Sequence, residues 1–235
     1  MEENHLCTGS LISKNHVLTA ATCLADVSAT DLKVIFGSKD ENSPYHSAFT
    51  VSFKITYEDW CNNQPWCFFE KFTDDVSILE LDVIDPGISK VSITPYAFQP
   101  GDKITATGWG RSPQLLHPNT PRTGFMTIME KNACEARVRR LIHTSLRDVI
   151  LPPKLSCAVA EPEVLVTKGD FGGPVRLKRG RKVSGILIQR SPMYHPASFH
   201  SEQVNLVLNL DTFQDFINDV VGANTVGPNK RREMD

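Results

Sequence analysis

The sequence predicts an all-β chain that ends in one α-helix. Three observations carry this. Short strand-like runs recur between turn residues, strand–helix alternation of the kind that builds a parallel sheet is missing, and one apolar stripe at helical spacing lies near the C-terminus. Many short strands at turn-marked intervals point to a β-barrel or a β-sandwich.

Taken in order, Lys33-Val34-Ile35-Phe36-Gly37 is the first clear strand. Phe49, Val51, Phe53 and Ile55 alternate with polar residues, the two-residue period of a half-buried strand. Val76-Ser77-Ile78-Leu79-Glu80-Leu81 is a mostly apolar strand, and Lys103 to Gly108, Lys182 to Leu187 and Val204 to Leu210 follow the same style. A short helix is expected from about Glu130 to Ile142. In the last helix Phe213, Phe216, Ile217, Val220 and Val221 fall on one face, which suits docking on a barrel surface. Asp211 is placed to cap its start, with Gln214 three residues on, and Gly222 to end it. The tail, residues 226–235, is polar and expected to be disordered.

Composition narrows the function classes. The chain has 235 residues, 40% hydrophobic and 22% charged, an ordinary globular balance with length for one large domain or two small ones. A net charge of -2 gives no pointer to nucleic acid or an anionic membrane, and no apolar run approaches the roughly 18 residues of a membrane helix. Six cysteines are present, none in a CxxC pair, which argues against zinc ribbons and thioredoxin-type redox sites. An even count suits three disulfides and an oxidising compartment. Met1 to His5, however, hold no apolar leader. Either the leader is absent from this chain or the thiols are reduced inside a cell. His195 and His200 are too poorly spaced, in a Pro-containing loop, to be read as metal ligands, so neither a metal nor a cofactor is expected.

The specific signal is a set of blocks. Cys7-Thr8-Gly9-Ser10-Leu11-Ile12 precedes Val17-Leu18-Thr19-Ala20-Ala21-Thr22-Cys23. Asp75-Val76-Ser77-Ile78-Leu79, Thr107-Gly108-Trp109-Gly110 and Gly169-Asp170-Phe171-Gly172-Gly173-Pro174 follow. In this order and spacing they resemble the trypsin-like serine protease family, from about Glu3 to Val221. The resemblance implies two antiparallel six-stranded barrels, meeting near residues 95–110 of a domain spanning 1–225, with a cleft between them. In that cleft a Ser nucleophile, a His base and an Asp would meet. The hydroxyl needs the His to take its proton, and the Asp holds the His in the required tautomer.

The chain departs from that family where the chemistry sits. The resemblance places Thr22 at the base and Phe171 at the nucleophile, and leaves Asp75 alone of the triad. Thr22 titrates far from neutrality, Phe171 has no nucleophilic atom, and losing base or nucleophile costs about 10⁶ in turnover. Gly169 and Asp170 are the remnant of the oxyanion loop. With its partner gone, Asp75 reads most plainly as a buried carboxylate satisfied by backbone donors. Asp170 is expected either to pair with an N-terminus outside this chain or to make a zymogen-like hydrogen bond. Phe171 reads as a plug more than as a ligand contact. Leu165 stands at the pocket floor where an Asp selects Lys or Arg, and Gln189 and Arg190 replace a Trp and a Gly at the pocket entrance.

The cysteines follow the same resemblance. It implies the pairs Cys7–Cys23, worth roughly 3 kcal/mol by loop closure, and Cys134–Cys157. Cys61 and Cys67 have no counterpart in the family and are close enough to pair. Two family disulfides are missing whole. Ile104 and Leu177 stand where one pair would be, and Thr167 at one half of the other. The family's mature N-terminus and first strand lie upstream of the first cysteine block, whereas this chain starts six residues before Cys7. Upstream sequence is therefore expected to be missing, and the first barrel to expose an edge.

These readings predict a secreted, catalytically inactive homologue, neither an enzyme nor a nucleic-acid or membrane binder. It would act on a protein partner, an active protease or its substrate, as cofactor, decoy or regulator. The alternatives are a serine-type endopeptidase with a relocated nucleophile, Ser77 or Ser10 reaching His16, and a non-functional product of a decaying gene. Two features are open. Trp60 and Trp66 flank the Cys61–Cys67 loop and read equally as binding hot spots or as packing. Two basic runs, Arg137, Arg139, Arg140 and Arg147, and Lys178, Arg179, Arg181 and Lys182, read first as solvated faces and second as polyanion sites.

Overall fold

A computed structural model describes residues 5–36, 47–71, 73–82, 88–110, 120–141, 150–160, 166–191 and 203–222. The expected polar tail, Leu165, Arg147, His195 and His200 lie outside these residues.

The first half builds an antiparallel sheet of β1 (Ser10–Leu11), β2 (His16–Thr19), β3 (Lys33–Phe36), β4 (Ser47–Thr56) and β5 (Ser77–Leu81), in the order β1-β2-β5-β4-β3. The second half closes into a six-stranded barrel of β6 (Lys103–Gly108), β7 (Arg122–Ile128), β8 (Leu155–Val159), β9 (Pro174–Leu177), β10 (Gly185–Ser191) and β11 (Val204–Asn209), in the order β10-β11-β8-β7-β6-β9. The class is the predicted one: mostly β, two barrel-like sheets, a C-terminal helix. Among the described residues the first sheet has five strands, one fewer than a full barrel of the expected kind.

The segment between the sheets stitches them. The Val91 amide donates to the Leu11 carbonyl at 2.8 Å, so β1 does not present a bare backbone there. Thr94 donates to the Val183 carbonyl, and Val183 to that of Ser92, each at 2.9 Å. One core then runs through both halves, with Leu18 and Ile78 from the first sheet meeting Ile186, Leu208, Phe213 and Phe216. Each such side chain contributes about 1.5–3 kcal/mol relative to exposure.

Among the described residues there are three α-helices: α1 (Tyr57–Asn62), α2 (Lys131–Leu141) and α3 (Gln214–Gly222). The sequence reading missed α1. Its signal is local, a capping box in which Thr56 Oγ1 accepts from the Asp59 amide and the Asp59 carboxylate accepts from the Thr56 amide. Two expectations need correction. Asp211 does not cap α3. The chain already turns in a 3-10 helix over Leu210–Phe213, Asn209 occupies its N-cap position with its side chain turned to Ser156 and the Pro153 carbonyl rather than capping, and Asp211 Oδ1 has no hydrogen-bond partner. Burial of Leu210 and Phe213 anchors this end instead. The strand expected over Lys182 to Leu187 starts three residues later, at Gly185, because Val183 is taken by the bridge to Ile93.

All three disulfides form: Cys7–Cys23, Cys61–Cys67 and Cys134–Cys157. Ile104 and Leu177, the apolar pair in place of a disulfide, face each other directly across β6 and β9. Among the described residues no helix is long and apolar enough to cross a membrane.

Candidate functional site

Three chain segments meet where the two halves join. The first is the turn after β2, Ala21–Leu24, which carries Thr22. Lys54 of β4 pins it, with Nζ donating to the Leu24 carbonyl at 2.8 Å and the Val27 carbonyl at 2.6 Å. The second is the entry to β5, where Asp75 is buried two residues before the strand. The third is the tight turn 168–172 before β9.

Thr22 and Asp75 form one unit. The Thr22 amide donates to Asp75 Oδ1 at 2.7 Å, and its hydroxyl donates to Oδ2 at 2.9 Å. Both carboxylate oxygens are thus taken by one residue 53 positions away. Burial pushes the Asp75 carboxyl above its ordinary pKa, against the pull of the Thr22 amide, the Thr22 hydroxyl and the Ala21 amide. Thr22 itself is exposed.

The 168–172 turn is tied down from several sides. The Asp170 carboxylate accepts from the Gly110 amide at 2.7 Å, the Thr167 amide at 2.9 Å and the Thr167 hydroxyl at 3.1 Å. Burial raises its pKa despite those bonds and the nearby His5. His5 does not take the carboxylate; its Nε2 lies 3.1 Å from the Gly169 carbonyl. Thr8 completes the knot. Its hydroxyl donates to the Gly169 carbonyl at 2.7 Å and accepts from the Trp109 amide at 3.1 Å, while its own amide donates to the Phe171 carbonyl at 2.9 Å. Gly172, at φ 80°, could not be replaced: a Cβ there would collide with the Thr19 hydroxyl and the Thr8 carbonyl.

Phe171 is half-buried and packs against the second barrel's core, with its carbonyl oxygen 3.9 Å from Cys23 Sγ. That contact sets the turn beside Thr22.

With this geometry in place, the similarity to known proteins can be read. The Trypsin family model matches residues 1–198. The chain belongs to the trypsin family. Curated relatives include the CLIP domain-containing serine protease B10 of Anopheles gambiae, 24% identical over 196 residues, covering 74% of this chain and 51% of that protein. Rat (Rattus norvegicus) granzyme M is 26% identical over 194 residues, covering 79% of this chain and 69% of that protein. The chain thus spans about half the length of the first relative. Two solved structures share the fold. Neuropsin from mouse brain gives a TM-score of 0.72 at 22% identity, over 94% of this chain and 91% of that one. The scabies mite inactivated protease paralogue S-D1 gives 0.74 at 18%, over 94% and 89%.

Of the residues expected at the pocket, Gln189 and Arg190 lie in β10 and Leu165 lies outside the described residues. Gln189 is half-buried in β10, just past a register shift between Leu187 and Gln189, and Arg190 lies opposite Asn205 of β11. Thr167, expected at one half of a family disulfide, donates its amide and its hydroxyl to the Asp170 carboxylate. The relocated-nucleophile constellation does not assemble. The Ser77 hydroxyl is buried and donates to the Ile55 carbonyl at 2.8 Å. His16 is buried with Nδ1 at 2.7 Å from the Ser13 hydroxyl, and sits three ladder positions from Ser77, about 10 Å along the strand. Ser10 Oγ is buried in β1 without a partner. Thr8, His5 and Lys54 were not singled out from the sequence, since nothing local signals bonds to partners so distant in the chain.

Proposed function

We propose that this chain is a secreted, non-catalytic member of the trypsin family that works by binding another protein. The observation that carries the reading is the Asp75 carboxylate, whose two oxygens are both taken by Thr22. A triad Asp works by orienting an imidazole that can accept a proton near neutral pH. A threonine hydroxyl cannot do this. Phe171, at the nucleophile position, has no side-chain atom that could attack a carbonyl, and its ring packs against the second barrel's core. A solved neighbour of the same fold is described as an inactivated protease, so the architecture persists where the activity is gone.

Binding, in this reading, uses the loops. Trp66 and Phe68 stand 64% and 82% exposed on and beside the disulfide loop Cys61–Cys67, the kind of aromatic pair that anchors protein interfaces. Three disulfides suit the oxidising compartment that secretion implies.

The test is direct. The oxidised protein, shown by calorimetry to unfold cooperatively, is incubated with a fluorophosphonate probe and a peptide library. No label and no cleaved peptide are expected. Time-dependent labelling at one residue overturns the reading in favour of an endopeptidase, and a protein with no cooperative transition overturns it in favour of a non-functional product.

A further inference from the structure

The outer face of β7, β6 and β9 carries two cross-strand rows. Phe125, Thr105 and Arg176 lie in register across the three strands, and the next row on the same face holds Thr127 and Lys103. The Lys178 amide donates to the Lys103 carbonyl at 2.7 Å, so Lys178 extends that second row. Beyond it the turn into β10 adds Arg179, Arg181 and Lys182, all exposed. Six exposed cations thus fall on two adjacent strands and the turn that follows them, in a chain of net charge -2.

None of the six is paired with a carboxylate among the described residues. Lys103 donates to the Thr127 hydroxyl at 2.8 Å, and Lys178 Nζ stands 5.4 Å over the Phe125 ring. The neighbouring acid, Asp102, is committed to the Tyr96 hydroxyl and the Gln99 amide, each at 2.9 Å. A second observation points the same way. The Thr105 hydroxyl is buried at the centre of the patch and has no hydrogen-bond partner. It lies in register between Phe125 and Arg176, an unspent donor beneath the exposed side chains of that row.

We propose that this face binds a sulfated polysaccharide. Repeated sulfates match a run of exposed cations that no carboxylate among the described residues neutralises. Nucleic acid is the other polyanion that could seat there, and two features disfavour it. One face of the exposed Phe125 ring, the only exposed aromatic in the two rows, is already covered by the Lys178 ammonium, so stacking of bases is curtailed. The three disulfides also suit an extracellular setting, where sulfated chains are the abundant polyanions. The site is independent of whether the cleft is active.

The probe is a heparin octasaccharide, titrated calorimetrically into the whole protein at two salt concentrations. Binding is expected, with a log–log salt slope of about -3, as for roughly four released counterions. K178A/R179A/R181A/K182A is expected to weaken binding at least about tenfold. R139A/R140A, which removes exposed cations on α2, should change it by less than about twofold. Circular dichroism checks each variant; if the four-site variant is unfolded, Lys178→Glu alone carries the test, with a loss of about threefold or more expected. No binding at low salt overturns the proposal. So does equal weakening by the α2 variant, which would mean diffuse charge, or tighter binding to a DNA duplex of matched charge, which would mean a nucleic-acid site.

Discussion

At the scale of single residues, Asp75 shows how a buried carboxylate is satisfied by the hydroxyl and amides of a neighbouring turn. Two hydrogen bonds from Thr22 and one from Ala21 stabilise the ionised form, and burial outweighs them. The folded state therefore binds the Asp75 proton more tightly than the unfolded chain does. Stability from this group is greatest below the ordinary carboxylate pKa of about 4 and declines as pH rises through the raised native value. Asp170 acts in the same direction for the same reason. An Asp75→Asn variant keeps an oxygen for Thr22 but cannot ionise. Its Tm, measured against wild type, is expected to gain as pH rises above about 4, up to the raised native value; a constant difference would refute the account. The sequence pointed to Thr22, Asp75 and Phe171 as positions, through the blocks around them. It did not show what they now do, because each bond here joins residues far apart in the chain. Thr8 is the plainest case. Its hydroxyl is one of many threonine hydroxyls until folding brings Trp109 and Gly169 to it.

At the scale of elements, the segment around α1 is part of the core. Trp60 is 2% exposed, packs on Tyr57 and Phe216, and donates Nε1 to Asp219 of α3 at 3.3 Å. Trp66 meets it edge-on and stays exposed, so the two tryptophans have parted roles. Trp60→Ala should cost about 3–5 kcal/mol, read by urea unfolding, while Trp66→Ala should cost well under half of that. Opening Cys61–Cys67, whose partners are 6 residues apart, should cost about 2 kcal/mol, less than opening Cys134–Cys157 at 23. Strands with clear alternation, such as β4, or long apolar runs, such as β5 and β11, were readable in the sequence. β1 and β9 were not. They are two and four residues long, and partners supplied by distant strands make them strands at all. The start of α3 was misplaced for a related reason: burial of Leu210 and Phe213 overrode the local capping signal at Asp211.

At the scale of the whole molecule, the two halves share one core, one connecting segment and one charge cluster centred on the buried Asp74. In that cluster Lys154, ahead of β8, reaches the Asp74 and Glu70 carboxylates at 2.5 and 3.0 Å, beside the disulfide loop of the first half. Removing the lysine leaves buried Asp74 without its cation, so Lys154→Met should lower Tm and flatten the transition if the halves begin to separate; a sharp transition at an unchanged Tm would count against the coupling. The two-sheet class was legible from repeated short strands, and the family from five blocks in order. How the halves interlock was not, since Lys154, Asp74 and Glu70 look in sequence like ordinary surface charge. One consequence of the fold concerns reagents more than partners. Lys54 spends its ammonium protons on two carbonyls behind the turn that carries Thr22. An amine-acylating reagent would therefore modify the exposed Lys178 and Lys182 early and Lys54 late. The acylation clock of that single amine, followed by peptide mass mapping, would report how often the Thr22 turn lifts away from its sheet.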